Sequence, residues 1–194
     1  DISELEINSV VDTLKSGWIT TGPRVKRFED EIADYCDVNK AVCLNSQTAC
    51  TEMALHILDI GPGDEVITSA YTYTATASVI CHVGAKLVLI DTQPDSLQMD
   101  YDRVEKAINE HTKAIIPVDL AGIPCDYDRI FSIVNNKRSL FRPSSVIQEA
   151  LGRIAVLADT AHAFGAQWKG KKVGSIADFS SFSFHAVKNL TTAE

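Results

Sequence analysis

Residues 65–91, EVITSAYTYTATASVICHVGAKLVLID, decide the fold of this chain. The stretch opens with a short apolar run, EVIT, and closes with another, KLVLID at residues 86–91. Between them, residues 74–82 have the pattern of a helix, and Gly84 interrupts that pattern before the second run. A strand, a helix and a second strand in this order are typical of an α/β protein.

The same alternation continues on both sides of this stretch. Toward the N-terminus, KAVCLN at residues 40–45 predicts a strand, and an apolar helical pattern follows at residues 49–58. Toward the C-terminus we predict helices at residues 101–109 and 126–134 and strands at residues 114–119, 154–159 and 178–184. Strands that are apolar throughout are buried on both faces, as in parallel sheets covered by helices. We therefore predict an α/β protein with three α/β/α layers and a mostly parallel central sheet of about seven strands.

The chain divides into two predicted regions. Residues 1–35 have apolar residues at near-helical spacing and a Gly-Pro turn, which indicates an N-terminal helical arm. Residues 36–194 contain the alternating strands and helices. Residues 135–153 form a longer connection with a short predicted helix, and we favour a surface excursion there over an active-site lid. The chain starts without a methionine and stops just after a motif-rich segment, so we expect a fragment of a longer protein.

The composition excludes several classes of function. The chain has 18 Lys and Arg against 26 Asp and Glu, a formal charge of −8, whereas a nucleic-acid binder needs a basic surface. No apolar run reaches the roughly 18–20 residues that span a bilayer, and no secretion signal is visible. The five cysteines are odd in number and lack CxxC spacing, which indicates thiols in a reducing cytoplasm. We expect a cytoplasmic protein with no metal site and no nucleic-acid or membrane partner.

Polar and aromatic residues follow the predicted strands, where open α/β sheets bind ligands. Residues 45–49 join a strand to a helix whose first N–H groups could bind an anion, with Thr48 adding a hydroxyl. Simple helix capping explains these residues equally well. Tyr71 and Tyr73 precede the next helix and could stack on a flat heterocycle or pack in the core.

Asp159 ends an otherwise apolar strand, IAVLAD. A carboxylate is costly to bury there unless a positive or hydrogen-bonding group meets it. A protonated pyridine nitrogen is such a group, and its charge makes the ring an electron sink. Capping of the next helix is the alternative role for Asp159. His162 could support such a ring or bind the backbone.

Lys188 follows the last predicted strand, in SFHAVKNLTTAE at residues 183–194. Its neighbours are small or apolar, whereas the lysines of WKGKK at residues 168–172 belong to a predicted surface hairpin around Gly170. Desolvation lowers the pKa of a lysine and favours the neutral amine that Schiff-base chemistry requires. Ser183 lies five residues earlier and could donate to a phosphate.

Five motifs occur in order between residues 61 and 194. They are GPGDEVIT, YTYTATA, IPVDLAGIPCDYD, ADTAHAFGA and WKGKKVGSIADFSSFSFHAVKNLTTAE. Together they resemble the DegT/DnrJ/EryC1/StrS family of sugar aminotransferases, and the resemblance covers essentially the whole chain. Members of this family are fold type I enzymes that depend on pyridoxal 5′-phosphate (PLP). The motifs around Asp159 and Lys188 are the most specific. The resemblance implies that residues 36–194 are the PLP-binding large domain, and that a smaller C-terminal domain is absent.

The resemblance also implies a role for each candidate residue. Lys188 is then the catalytic residue and holds PLP as a Schiff base, while Asp159 pairs with the pyridine nitrogen. Tyr73, rather than Tyr71, stacks on the ring. The other implied cofactor ligands are Gln47 and Thr48 in the phosphate-binding turn, Ser183 at the phosphate, and His162, where many relatives carry Gln.

The reaction implied by the resemblance is transamination. An amino donor, commonly glutamate, gives its amino group through PLP to a keto-sugar that is usually linked to a nucleotide, in polysaccharide or antibiotic glycoside synthesis. The active enzyme is expected to be a homodimer. A PLP-dependent sugar dehydratase is the first alternative, although dehydrating relatives tend to have histidine at the position of Lys188. A non-catalytic regulatory or assembly protein is the second, and the complete set of cofactor residues counts against it.

Overall fold

The computed structural model describes residues 2–192, and the chain forms two compact units that meet in sequence between Cys43 and Leu44. The first unit contains helices α1 (Glu4–Lys15) and α2 (Pro23–Cys36). Ser3 caps α1 in a capping box with Glu6, and Pro23 starts α2 at a position where its missing N–H is harmless. Two helices thus form where the sequence predicts an amphipathic arm.

The second unit is built around a parallel sheet of five strands with the order β2-β1-β3-β4-β7. Its strands are β1 (Glu65–Ser69), β2 (Lys86–Ile90), β3 (Thr112–Ile116), β4 (Ala155–Asp159) and β7 (Phe179–Ser181). The strands β5 (Gln167–Trp168) and β6 (Lys171–Lys172) form a separate antiparallel hairpin. The helices are α3 (Gln47–Ile57), α4 (Thr74–His82), α5 (Tyr101–Ala107), α6 (Tyr127–Asn136) and α7 (Val146–Leu151).

Helices cover both faces of this sheet. Along β1, Val66 packs with Leu55 of α3 and with α4, whereas its neighbour Ile67 packs with Val104 of α5 and Ile130 of α6. Successive side chains of a strand point to opposite faces, so one strand contributes to two hydrophobic cores. The predicted α/β fold with three layers and a mostly parallel sheet is confirmed.

The predicted number of strands is wrong. The described residues contain five strands in the sheet rather than about seven, and residues 41–44 of KAVCLN are not in a strand. A strand needs a hydrogen-bonded neighbour, and here the N–H of Cys43 donates to the carboxylate of Glu29 instead (2.8 Å). Val42 and Leu44 are 60% and 41% exposed, so the apolar pattern of this stretch does not correspond to burial.

Two predicted strands end earlier than expected. The strand predicted at residues 114–119 stops at Ile116, and the next residue, Pro117, has no N–H to donate. A single bridge between Val118 and Asp159 then resumes the pairing. The strand predicted at residues 178–184 ends at Ser181, which leaves Ser183 in the following loop.

The connection at residues 135–153 contains the predicted short helix, α7, which Ser145 caps by accepting from the N–H of Gln148. The buried side chain of Gln148 donates to the carbonyl oxygen of Leu58 at the end of α3 (2.8 Å). The connection leads into the amino end of β4, and Asp159 lies at the carboxyl end of the same strand.

Two further expectations concern the chain as a whole. The five cysteines, all within the described residues, form no disulfide. No helix between residues 2 and 192 is both long and apolar enough to cross a membrane.

Candidate functional site

Asp159 is the centre of a polar cluster at the carboxyl ends of the strands. Its side chain is buried, and Oδ2 accepts a hydrogen bond of 2.7 Å from the hydroxyl of Thr76 in the first turn of α4. Oδ1 accepts from the N–H of Ala161 (3.2 Å). The start of α4 and the end of β4 therefore meet at this carboxyl group.

The N-terminus of α3 reaches the same place through Gln47. The buried Nε2 of Gln47 donates to the hydroxyl oxygens of Thr51 (2.9 Å) and Ser181 (3.0 Å). Ser181 is the last residue of β7 and pairs with Asp159 across the sheet. Gln47 thus has a role in joining α3 to β7, and its side chain points into the protein.

The first turn of α3 has donors that can bind an anion. Ser46 caps the helix by accepting from the N–H of Ala49 (3.1 Å). The N–H groups of Gln47 and Thr48 precede this bond and have no partner within the helix. The hydroxyl of Thr48 is half-buried beside them. These groups and the positive end of the helix dipole suit a phosphate.

His162 lies in the loop after Asp159 and is held by the segment at residues 119–125. The N–H of Ala121 donates to Nδ1 of His162 (3.3 Å), so a neutral ring carries its proton on Nε2. Ala121 and Gly122 both have positive φ, 54° and 79°. A side chain on Gly122 would begin 3.2 Å from the carbonyl oxygen of His162. The two loops are closely fitted at this point.

Lys188 lies on the same side of the unit as Asp159. The side chain of Asn189 donates to the carbonyl oxygen of Phe164 (2.6 Å), which joins the Lys188 segment to the loop after Asp159. Lys188 is half-buried and makes no ion pair within residues 2–192, but its neighbour Val187 is 80% exposed. The setting is more open than the apolar sequence predicts, because the segment has no helix or strand to bury it.

Three other candidate residues from the sequence, Tyr71, Tyr73 and Ser183, are less closely connected to this cluster. Tyr73 is the residue before α4 and its ring is 79% exposed, so it does not pack in the core of the unit. Tyr71 is also exposed. Ser183 lies two residues beyond the buried Ser181 and is half-buried. Its hydroxyl accepts a hydrogen bond from the N–H of His185 (3.4 Å).

The charges of the site influence one another. Burial raises the pKa of Asp159, and the hydrogen bond from Thr76 is the largest effect that opposes this rise. Burial also lowers the pKa of His162, and the charge of Lys188 lowers it further. The charge of Asp159 acts on His162 in the opposite direction. His162 is therefore close enough to both Asp159 and Lys188 to respond to their charges.

Sequence reasoning missed several buried polar residues near the site, among them Thr51, Thr76, Asp119 and Ser181. Asp119 ends a predicted apolar strand, residues 114–119, just as Asp159 ends IAVLAD, and the same rule identifies it. Its carboxylate accepts from the N–H of Cys125 and the hydroxyl of Tyr127, both at 2.8 Å. The three hydroxyl residues carry no such signal in the sequence, since their contacts are long-range.

The residues present fit a cofactor that has an anionic phosphate group and a positively charged ring better than they fit a metal ion. The carboxylate of Asp159 accepts two hydrogen bonds in the structure, and a carboxylate has about four acceptor positions, so it can still accept one from a ring N–H. The start of α3 can bind a phosphate, and Lys188 has an amine on the same side. No cluster of His, Cys, Asp and Glu suited to a metal occurs among the described residues.

A model of the DegT/DnrJ/EryC1/StrS aminotransferase family matches residues 1–194. The chain therefore belongs to that family, as the sequence motifs predict. The solved structure of the candidate sugar aminotransferase Spr1654 from Streptococcus pneumoniae, in its apo form, is 59% identical and superposes with a TM-score of 0.99. This match covers 100% of the present chain and 49% of that protein. Structures of Spr1654 in its PLP form and in its pyridoxamine phosphate (PMP) form have also been solved, and each superposes on this chain with a TM-score of 0.98.

Two curated relatives are similar over the same range. The spore coat polysaccharide biosynthesis protein SpsC of Bacillus subtilis is 42% identical over 193 residues. The UDP-4-amino-4-deoxy-L-arabinose–oxoglutarate aminotransferase of Shewanella sediminis is 40% identical over 193 residues. Each match covers 100% of this chain and 46% of the relative, so the chain spans about half the length of these proteins.

Proposed function

We propose that the protein carrying this chain is a PLP-dependent aminotransferase that moves an amino group from glutamate to a nucleotide-linked keto-sugar. The observation that carries this proposal is the meeting of a buried acid, Asp159, with the start of α3 and with the segment that carries Lys188. The family and the PLP and PMP forms of Spr1654 support the choice of cofactor.

Each candidate residue has a task in this proposal. The N–H groups of Gln47 and Thr48, with the Thr48 hydroxyl, would bind the phosphate of PLP, and Ser183 would add a donor. Asp159 would hold the ring nitrogen in its protonated form. Tyr73 would lie against the ring face, where its exposed aromatic surface becomes covered. His162, held at Nδ1 by Ala121, would present Nε2–H toward the ring.

When bound, PLP supplies an aldehyde that takes up amino groups and a ring that withdraws electrons from the carbon being protonated. Lys188 would bind that aldehyde in the resting protein. Once released, Nζ of Lys188 would take a proton from one carbon and return it to the other, as a general base and then a general acid. Lys188 makes no ion pair in the described part of the chain, so its amine is available for this work.

The substrates are proposed from the chemistry of the relatives. The name of the Shewanella protein pairs a UDP-linked aminosugar with oxoglutarate, which is the keto acid of glutamate. The name of SpsC refers to polysaccharide biosynthesis, which consumes activated sugars. We extend both to this protein, together with a homodimeric state and a cytoplasmic location in which its cysteines stay reduced.

The first experiment tests the cofactor site. The complete protein that carries this chain is incubated with PLP, reduced with borohydride and digested, and the labelled peptide is identified by mass spectrometry. We expect the label on Lys188 and none in Lys188→Ala. Lys169→Ala, which alters an exposed lysine paired with Asp128, is the control and should label normally. Label that persists in Lys188→Ala would contradict the proposed site.

The second experiment tests the reaction. Glutamate added to the PLP-loaded protein should release about one oxoglutarate per subunit, because the cofactor keeps the amino group. A panel of nucleotide-linked keto-sugars should then restore the cofactor and yield an aminosugar nucleotide. Release of a keto acid only with other amino acids would contradict glutamate as donor, and turnover only with free keto acids would contradict the sugar.

A further inference from the structure

Thr76 and Asp159 form a buried contact between residues that are 83 positions apart. Thr76 is 1% exposed and Asp159 is 5% exposed, so water does not compete for the bond between them. Hydrogen bonds to a charged group are shorter and stronger than those between neutral groups. The distance from Oγ1 of Thr76 to Oδ2 of Asp159, 2.7 Å, is in the range of such bonds.

The direction of this bond is fixed by the chemistry of its partners. An ionised carboxylate can only accept, so the one hydroxyl proton of Thr76 must go to Asp159. The hydroxyl of Thr72 lies 2.9 Å from that of Thr76. Since the Thr76 proton is already used, Thr72 must be the donor in this second bond. The two hydrogen bonds therefore form a chain in which Thr72 donates to Thr76 and Thr76 donates to Asp159.

We propose that Thr76 is a positioning residue that keeps Asp159 ionised and oriented to accept a hydrogen bond from the ring nitrogen, and that Thr72 holds Thr76 in its donor orientation. This inference rests on the proposed function, because it assumes that Asp159 pairs with the ring of PLP. Burial alone makes the carboxylate a stronger base, which would draw the shared proton from the ring nitrogen to Asp159. The donated bond from Thr76 opposes that transfer, and so the ring stays charged.

The test uses the complete protein loaded with PLP that carries nitrogen-15 at the ring position. The variants are Thr76→Val, which replaces the hydroxyl by a methyl group, Thr76→Ser, which keeps a hydroxyl, and Thr72→Val. Thr74→Val, at an exposed position of the same helix, is the matched control. The nitrogen-15 chemical shift reports the protonation of the ring, and circular dichroism with a PLP titration reports folding and cofactor affinity.

We expect the ring signal of Thr76→Val to move toward that of a neutral pyridine, with a fall in the rate of amino transfer of about tenfold, as for loss of a hydrogen bond to a charged group. Thr72→Val should move the signal in the same direction by less. Thr76→Ser and Thr74→Val should keep the wild-type signal.

Two results overturn the inference, and they can be told apart. If the wild-type protein binds PLP and Thr76→Val leaves the ring signal unchanged, Thr76 has no such role and the proposed function still stands. If the wild-type protein binds no PLP at all, the proposed function fails and this inference fails with it. Where Thr76→Val does not fold, Thr72→Val decides, since its side chain is only half-buried.

Discussion

The backbone N–H of Asp119 donates a hydrogen bond of 2.9 Å to the carbonyl oxygen of Asp159, which brings two buried acids to neighbouring strand ends. Each carboxyl group has its own donors, Cys125 and Tyr127 for Asp119 and Thr76 for Asp159. Burial raises the pKa of Asp119 to about 6, and the charge of Asp159 contributes to this rise. We therefore expect the stability of this unit to depend on pH in the mildly acidic range.

We predict that Asp119→Asn reduces the change of stability between pH 4 and pH 6.5. The folded protein holds the Asp119 proton more tightly than the unfolded chain, so the free energy of unfolding falls as the pH rises from about 4 to about 6. The shift corresponds to roughly 3 kcal/mol at most. Urea unfolding across this range should show a smaller fall in the variant. An unchanged pH dependence would mean that Asp119 does not titrate there.

Tyr127→Phe should have the opposite effect on the same group. The hydroxyl of Tyr127 donates to Oδ2 of Asp119 and lowers its pKa, so removal of that hydroxyl raises this pKa further. The fall in stability should then extend to higher pH, with a loss of roughly 2 kcal/mol at pH 8. The check is a double-mutant cycle in urea, in which Tyr127→Phe should cost much less in the Asp119→Asn background. Equal losses in both backgrounds would show that the two residues are not coupled.

The ion pair of Arg153 and Asp178 should contribute more to stability than a surface pair does. Two bonds of 2.7 and 2.8 Å join these largely buried side chains, and Asp178 also accepts from the N–H of Val156 in β4. Arg153→Met leaves a carboxylate without its counter-charge, and we expect a loss of about 3 kcal/mol in urea unfolding. Lys169→Gln, which breaks an exposed pair with Asp128, should cost far less stability, because water screens the charges of that pair. Similar losses would contradict this ranking.

Gly122→Ala and Gly170→Ala test the fit between two loops. Both glycines have φ near +80°, so alanine introduces a similar backbone strain of about 1 kcal/mol at either position. Only at Gly122 would the new methyl group lie 3.2 Å from the carbonyl oxygen of His162, whereas Gly170 has open space. We expect Gly122→Ala to weaken PLP binding several-fold in the complete protein and Gly170→Ala to leave it unchanged, with similar unfolding midpoints. Equal PLP affinity in both variants would count against a role for the His162 loop.

Much of the fold follows from local pattern, and the failures have a physical origin. The helix at Thr74–His82 has the bounds that the sequence predicts, because apolar spacing and Gly84 act within a few residues. KAVCLN has the composition of a strand but no ladder partner among the described residues, and pairing cannot be inferred from one segment alone. One of the strands predicted for the sheet is absent for this reason.

The candidate site was predictable in part. Asp159 stands out because an acid at the end of an apolar strand needs a partner, and the motif around Lys188 is specific. Thr76 does not stand out, since a threonine in a helix is ordinary until the fold brings it to a carboxylate 83 residues away. The burial of Lys188 was overestimated, because apolar neighbours in sequence such as Val187 are exposed in space. The assignment of individual cofactor ligands remains a prediction.

The backbone of Asp159 is hydrogen-bonded to the residues beside it, with its N–H donating to Pro117 and its carbonyl accepting from Asp119. The location of this acid is thus inherited from the sheet and not from the loops at its rim. Loop residues can be exchanged, lengthened or shortened to suit ligands of different shape while the acid keeps its place. A fold arranged in this way can diversify what it recognises without having to rebuild how it reacts.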